Sequence, residues 1–448
     1  MSPTEALEGS LAAVENSKLN AVCFVDEAAR AAAESADVSL PFGGVPMGVK
    51  ELDPVKGWPL TEASLVFKDR VSDYDGTMTT RLGGAGAVLV GQTTASEFGG
   101  INCTYTRLHG ATTNPYDQER TPGGSSGGSA ASVAGGLFPI CTGGDGGGSI
   151  RIPAGFTGLF GLKATFGRIP KGPHTEIEPL TAVIGCLSRS VRDTARWYDV
   201  CNGADEYDPF SLPRVGGWEA GLGHQDLRGM RVAVSVGLGA AVVSAAVRSK
   251  VEEAADLLIK DAELERVDVP IALPKGGMEW AFAGASSLLV GLGDLYPGCE
   301  SELTPEIMLA ANLASHQFNI ETAKNIEAFR RSMIEQMAQI FEQVDFVVCA
   351  TNPDVAFGAE GPMPTVVDGV DLISEVGFEA AVANNGALTI PANTTGHPAV
   401  AIPVGLVGGL PVSMQVIGRR HAEQLLLELA RVVELERPWP LVAPGAPL

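Results

Sequence analysis

The sequence predicts an α/β fold: a single large domain whose mixed, mostly buried central β-sheet is covered by helices on both faces. Three observations carry this. Short, β-branched apolar runs recur along the chain, amphipathic segments of helical period lie between them, and the apolar runs toward the two chain ends are equally hydrophobic. A continuously apolar strand needs cover on both faces, and flanking helices supply it. Strands that far apart in sequence must find a shared sheet, which favours one domain over residues 1–448.

Taken in order, residues 4–36 are Ala-rich and carry Leu11, Val14, Val22, Val25 and Ala28 in a broken stripe, predicting an N-terminal helical part over 1–40. From Val45 the texture turns β-like. VLVGQTT (88–94), FPICT (138–142), RVAVSV (231–236), FVVCA (346–350), AVAIPV (399–404) and PVSMQVIG (411–418) read as strands. SAASVAGG (129–136), VRDTARWYDVC (191–201), VRSKVEEAADLLIKD (247–261) and AEQLLLELARVVELE (422–436) read as helices, and 302–343 is mostly helical by periodicity. The Gly-, Pro- and acid-rich stretch 202–226 is the candidate internal linker. No repeat of about 20–50 residues is visible.

Composition narrows the function classes. At 45% hydrophobic and 19% charged residues, the chain can bury a large core and is not a disordered type. A formal charge of −22 argues against a nucleic-acid partner and against anionic membranes, since both need a basic face. Simple solubility suffices to explain the charge. MSPTEALEGS has no basic segment followed by an apolar one, and no run of about 18 apolar residues follows anywhere, so no membrane span is expected. Seven scattered cysteines without a CxxC pair suit a reducing cytoplasm.

The chemistry gathers in two glycine-serine segments, TPGGSSGGSAA (121–131) and GGDGGGSIRIPA (143–154). GGSSG fits GxSxG in two registers, centred on Ser125 or Ser126. A nucleophile elbow, however, needs a strand before the serine, and NPYDQERTPGG is a polar loop. A phosphate loop fails because no GK[ST] closes either run. A serine hydroxyl is a weak nucleophile until a base takes its proton, and the oxyanion it creates is best met by backbone N–H donors. Gly146-Gly147-Gly148-Ser149 offers consecutive donors without obstructing side chains. One such loop would be read as a turn; two of them point to chemistry. The six histidines (109, 174, 224, 316, 397, 421) show no HExxH or other ligand spacing, so no metal is called for. A Ser-His-Asp arrangement using His397 is the rival mechanism.

The wider pattern is similar to the amidase signature family. GVPMGVKEL (44–52), AVLVGQTTASEFGG (87–100), TPGGSSGGSAA and GGDGGGSIRIPAGFTGLFGLKATFGRIP (143–170) resemble its central blocks. LSRSVRDTA (187–195), NTTGHPAVAIPVG (393–405) and GLPVSMQVIG (409–418) resemble its downstream ones, so the likeness spans roughly residues 10–440. The resemblance implies the amidase signature fold, with Lys50 as base, Ser125 as relay serine after a cis peptide, and Ser149 as nucleophile. It implies oxyanion donors from Gly146, Gly147 and Gly148 together with Ser149, and supporting roles for Ser126, Asp145 and Arg151. No metal and no cofactor is expected. A lysine in the apolar approach VPMGV should be buried, with its pKa lowered.

Gly144 stands where the family commonly has Thr, and Gly146 where Thr, Ile or Ser is commoner, which predicts more room beside the nucleophile. GGDGGGSIR is similar to aryl-acylamidases and to hydrolases of cyclic amide oligomers, so a small hydrophobic, aryl or cyclic amide is the expected substrate. Its pocket should draw on the variable helical region 276–345 and the loop 353–372. The alternative is a glutaminyl amidotransferase-type subunit working in a complex, although those usually carry Thr at the Gly146 position. A homodimer is left open. The chain starts about one helix late relative to the family pattern, which predicts an effect on stability or assembly before chemistry.

Overall fold

The computed structural model describes residues 1–175 and 179–446. Eleven strands form one mixed sheet: β1 (Val22–Val25), β2 (Pro46–Lys50), β3 (Val88–Thr93), β4 (Ile140–Asp145), β5 (Phe160–Lys163), β6 (Val183–Ser188), β7 (Arg231–Val234), β8 (Glu265–Arg266), β9 (Phe346–Ala350), β10 (Ala399–Val407) and β11 (Leu410–Gly418). Their order across the sheet is β1-β3-β2-β4-β6-β5-β10-β11-β9-β7-β8. β2 runs parallel to both β3 and β4, whereas β4, β6, β5, β10, β11 and β9 are joined by antiparallel pairings. Fourteen α-helices are present among the described residues. The α/β expectation holds, and β10 and β11 from the C-terminal part lie in the same sheet as β1, β2 and β3 from the N-terminal part.

Alternation along the central strands explains why both faces are covered. Ile140, Cys186, Val400 and Ile402 enter one apolar cluster, while Cys141, Leu187 and Ala401 enter a second. Neighbouring side chains on a strand point to opposite faces. The first cluster is packed by helices Val191–Cys201, Ala245–Asp261 and Glu423–Glu436, the second by Pro3–Asn16 and Gly127–Ala134.

Several elements differ from the sequence expectation. Residues 4–36 are not one helix: the helix Pro3–Asn16 ends, Asn20 turns the chain at φ 50°, and Val22–Val25 pairs antiparallel with β3 before the helix Ala29–Glu34. The β-branched and aromatic VCFV follows the partner strand rather than its Ala-rich surroundings. β5 and β6 escaped notice because a glycine interrupts each short run. Residues 202–226 are irregular but pinned: Trp218 is buried and stacks on Tyr198 with centroids 5.1 Å apart, and Asp199 accepts the Trp218 and Glu219 amides. These contacts hold the segment against the helix Val191–Cys201. No helix among the described residues is long and apolar enough to cross a membrane.

Candidate active site

Lys50 is the last residue of β2 and Asp145 the last of β4, its parallel neighbour. Ligand sites in open α/β sheets lie beyond the carboxyl ends of parallel strands, and both side chains sit there. The Lys50 amide donates to Thr142 Oγ1 at 2.8 Å, and that hydroxyl donates to Asp53 Oδ2 at 2.6 Å, so the β2 terminus is clamped to β4. From this anchor Lys50 Nζ donates to Ser125 Oγ at 2.8 Å and to Ser126 Oγ at 3.0 Å. Lys50 is 3% exposed and Ser125 2%.

The two glycine-serine loops meet over this lysine. The peptide Gly124–Ser125 is cis. Gly127 packs on Thr104 and Gly128 on Thr94 too closely for a Cβ, which seats the start of the helix Gly127–Ala134. Ser126 Oγ donates to Gly144 O at 3.2 Å, and the Ser126 amide donates to Ser149 O at 3.3 Å. Ser149 is nearly buried, at 8% exposure, just before the short helix Arg151–Thr157. Lys50, Ser125, Ser126 and Ser149 are therefore held on one junction of loops.

Asp145 organises the second loop. Its carboxylate accepts the Gly148 amide at 2.8 Å and the Ile150 amide at 3.3 Å, and it pairs with Arg151 through Nε and Nη2, both at 2.9 Å. Arg151 is wholly buried, and its remaining donors reach Thr389 O, Gln415 Oε1 and Asn393 Oδ1. Its guanidinium is thus committed inside the protein and offers no face to a substrate. The Gly148 N–H, one of the expected oxyanion donors, donates to Asp145 Oδ1. Among the described residues the Gly146, Gly147 and Ser149 amides have no such acceptor.

Electrostatics match the geometry. Burial pushes the Lys50 ammonium down from 10.5 to about 8, against the pull of Asp53, Asp145, Glu51 and Glu62. Burial raises the Asp53 carboxyl, opposed by Thr142 and Lys50. For Asp145 burial also pushes upward, but the Arg151 guanidinium overrides it and holds the carboxyl well below the usual range. A second buried lysine, Lys163, is lowered to about 7 by burial and by Arg151; its Nζ donates to Ala164 O at 2.8 Å.

His397 does not join the serines. Its Nδ1 partner is Thr395 Oγ1 at 2.8 Å, its ring stacks on Phe341, and burial with Arg420 lowers its pKa to about 3. Among the described residues one trio could hold a metal, Cys23, Glu51 and His109, which no sequence spacing suggested. Glu51 there accepts from His109 Nε2 at 2.8 Å, from Thr61 and from the Ala95 amide, which completes it as a hydrogen-bonded cluster.

Sequence reasoning missed several partners. Asp53 lay in plain view three residues after Lys50. Asn393 sits inside NTTGHPA and donates to Asp145 O at 2.8 Å. Trp280, from the helix Met278–Leu292, donates its indole N–H to Gly146 O at 3.0 Å and covers Gly147, where a Cβ would lie 2.5 Å from the ring. The indole packs on Gly147 alone; at Gly144 and Gly146, where more room is expected, a Cβ would meet nothing closer than 3.7 Å. A lone Trp in a helix carries no signal that separates it from ordinary packing.

Comparison with known proteins agrees with this architecture. The family profile described as Amidase matches residues 5–427. Among curated relatives, a glutamyl-tRNA(Gln) amidotransferase subunit from Roseiflexus sp. (strain RS-1) is 33% identical over 99% of this chain and 94% of its own. Among solved structures, a bacterial aryl acylamidase of the amidase signature family superposes with a TM-score of 0.89 at 26% identity, covering 98% of this chain and 94% of that one. A 6-aminohexanoate cyclic dimer hydrolase in complex with substrate superposes with a TM-score of 0.88 at 27% identity, covering 100% and 96%. The chain belongs to the amidase signature family, enzymes that act on the carbon–nitrogen bonds of amides.

Proposed function

We propose that this chain hydrolyses a small non-peptide carboxylic amide through an acyl-enzyme on Ser149, with Ser125 as proton relay and Lys50 as base. The observation that carries the reading is the 2.8 Å contact between the buried Lys50 Nζ and Ser125 Oγ. A lysine whose pKa lies near 8 is neutral often enough at physiological pH to accept a proton.

In the first half-reaction Ser149 Oγ bonds to the amide carbonyl carbon as its proton passes to Ser125 Oγ, and the Ser125 proton passes to Lys50 Nζ. The oxyanion is met by the amides of Gly146, Gly147 and Ser149. Collapse breaks the C–N bond, and the proton returns from Lys50 through Ser125 to the leaving nitrogen. Water then takes the place of Ser149 as the proton donor and nucleophile, releasing the acid. Asp145 and Arg151 fix the donor loop, and Ser126 ties Lys50 to Gly144. Every step uses groups of the chain itself.

The expected substrate is a hydrophobic, aryl or cyclic amide, supported by the likeness to the aryl acylamidase and the cyclic dimer hydrolase. We take the whole chain as one working domain, with the helices between 278 and 343 beside the substrate. The seven free cysteines support a cytoplasmic setting. A second reading, an amidotransferase-type subunit within a complex, is favoured by the 33% identity to the Roseiflexus amidotransferase chain. Turnover of aryl and cyclic amides by the isolated chain, with fluorophosphonate labelling at Ser149, supports the first reading. Glutaminase activity alone, or obligate co-purification with partner chains, favours the second.

A further inference from the structure

We infer that Trp280 is a positioning and specificity-determining residue: it orients the Gly146–Gly147 peptide as an oxyanion donor and walls the site against acyl groups that are not flat. The inference rests on the Ser149 reading above.

A trans peptide carries its C=O and N–H on opposite sides. Holding the Gly146 carbonyl on the Trp280 indole at 3.0 Å therefore aims the Gly147 N–H the other way. The next peptide shows the same logic completed. Thr389 Oγ1 holds the Gly147 carbonyl at 2.6 Å, and the Gly148 N–H on the far side meets Asp145 at 2.8 Å. Of the two fixed peptides, only the one set by Trp280 leaves its N–H for a ligand.

The glycine at 147 has the same origin. Gly148 needs its residue type for a φ of 133°, but Gly147 has no left-handed φ. What excludes a side chain there is the indole, with Cζ2 2.5 Å and Cε2 3.0 Å from where a Cβ would stand. Trp280 itself is half-buried and held at the start of its helix, where Gly276 packs on the Phe329 ring and Gly277 on Ala383. The helix thus delivers a rigid flat surface beside the carbonyl to be attacked. Aromatic and conjugated acyl groups can lie along it, while groups branched next to the carbonyl collide with it.

The test uses the full chain and two readouts, fluorophosphonate labelling of Ser149 and a set of p-nitroanilides with benzoyl, acetyl and pivaloyl groups. Trp280→Phe removes the indole N–H but keeps a ring. Labelling rate and kcat should fall about ten- to hundredfold for every acyl group, with KM changed little. Trp280→Ala should add a loss of preference for benzoyl over pivaloyl. Gly147→Ala should abolish labelling with Trp280 in place and recover to the single-variant level in the Trp280→Ala background. Melting curves identify any variant that fails to fold. Labelling rate and acyl preference both unchanged in folded Trp280→Phe and Trp280→Ala would overturn the inference. A wild-type chain that does not label at Ser149 would instead defeat the Ser149 reading itself.

Discussion

Lys50 Nζ lies 2.8 Å from Ser125 Oγ, with both side chains withdrawn from solvent and the lysine fixed at its backbone by Thr142. Burial makes the ammonium costly, and the carboxylate of Asp53 is the largest charge holding it on. The pair is therefore tuned by an opposed desolvation and a counter-charge, and its titration is accessible to measurement.

On the proposed mechanism Lys50 accepts a proton only when neutral, so kcat/KM should rise about tenfold per pH unit below the Lys50 pKa and level off above it, the bend lying near pH 8. Asp53→Asn removes the leading charge that raises this pKa. The bend should move to lower pH, and a pH–rate profile of the two proteins checks the direction. A bend that stays put or moves upward would remove Lys50 from the base role.

Groups that act as one unit lose activity together. Lys50→Ala and Ser125→Ala should each lower kcat by at least about 10³-fold, and the double variant should be little worse than either single one. His397→Ala should keep most of the activity, because the ring contacts Thr395 and Phe341 rather than a serine. Steady-state rates on one anilide substrate decide this. Wild-type turnover in Lys50→Ala together with loss in His397→Ala would reverse the assignment.

Asp145→Asn leaves Arg151 buried without its counter-charge, at a cost of about 3–5 kcal/mol. The sign with pH follows from the depressed carboxyl. Its stabilisation is fully present above the unfolded carboxylate range near 4 and is lost as pH falls toward the lower folded value. Thermal melts from pH 7 downward should show the wild type losing stability below about pH 4, and the variant starting lower with a flatter acid limb.

The neighbouring glycines should differ sharply in tolerance. A methyl at Gly146 meets only Ala182, at 3.7 Å, and the backbone there has no positive φ. At Gly148 it meets Thr389 and Ile152 at 2.5 and 2.6 Å with φ at 133°. Gly146→Ala should melt within a degree or two of wild type, about 0.5 kcal/mol. Gly148→Ala should lose about 1–3 kcal/mol or more. Equal melting temperatures for the two would contradict the loop geometry.

How much of this was legible beforehand depends on the range of the forces involved. Lys50, Ser125 and Ser149 were singled out through the resemblance of their segments to the amidase signature family, since serine density alone leaves Ser125, Ser126 and Ser149 interchangeable. The α/β class was visible because two-sided burial writes continuous apolar runs. The direction of the Gly148 N–H was not, since it depends on where Asp145 lands at the end of β4. Strand β1 was hidden for a similar reason: its Ala-rich surroundings favour helix, and its pairing with β3 lies some 70 positions away by residue number. Trp280 reaches Gly146 from 134 residues downstream, a distance at which periodicity carries no information.

The bracing of Arg151 by Thr389 and Gln415 spans 238 and 264 residues of chain, and Asn393 reaches Asp145 across 248. A nascent polypeptide has made its lysine and both serines long before these braces emerge from the ribosome. Until they arrive the buried Asp145–Arg151 pair lacks these three partners. On the proposed mechanism, a prematurely terminated product carries Ser149 without the braces behind its donor loop.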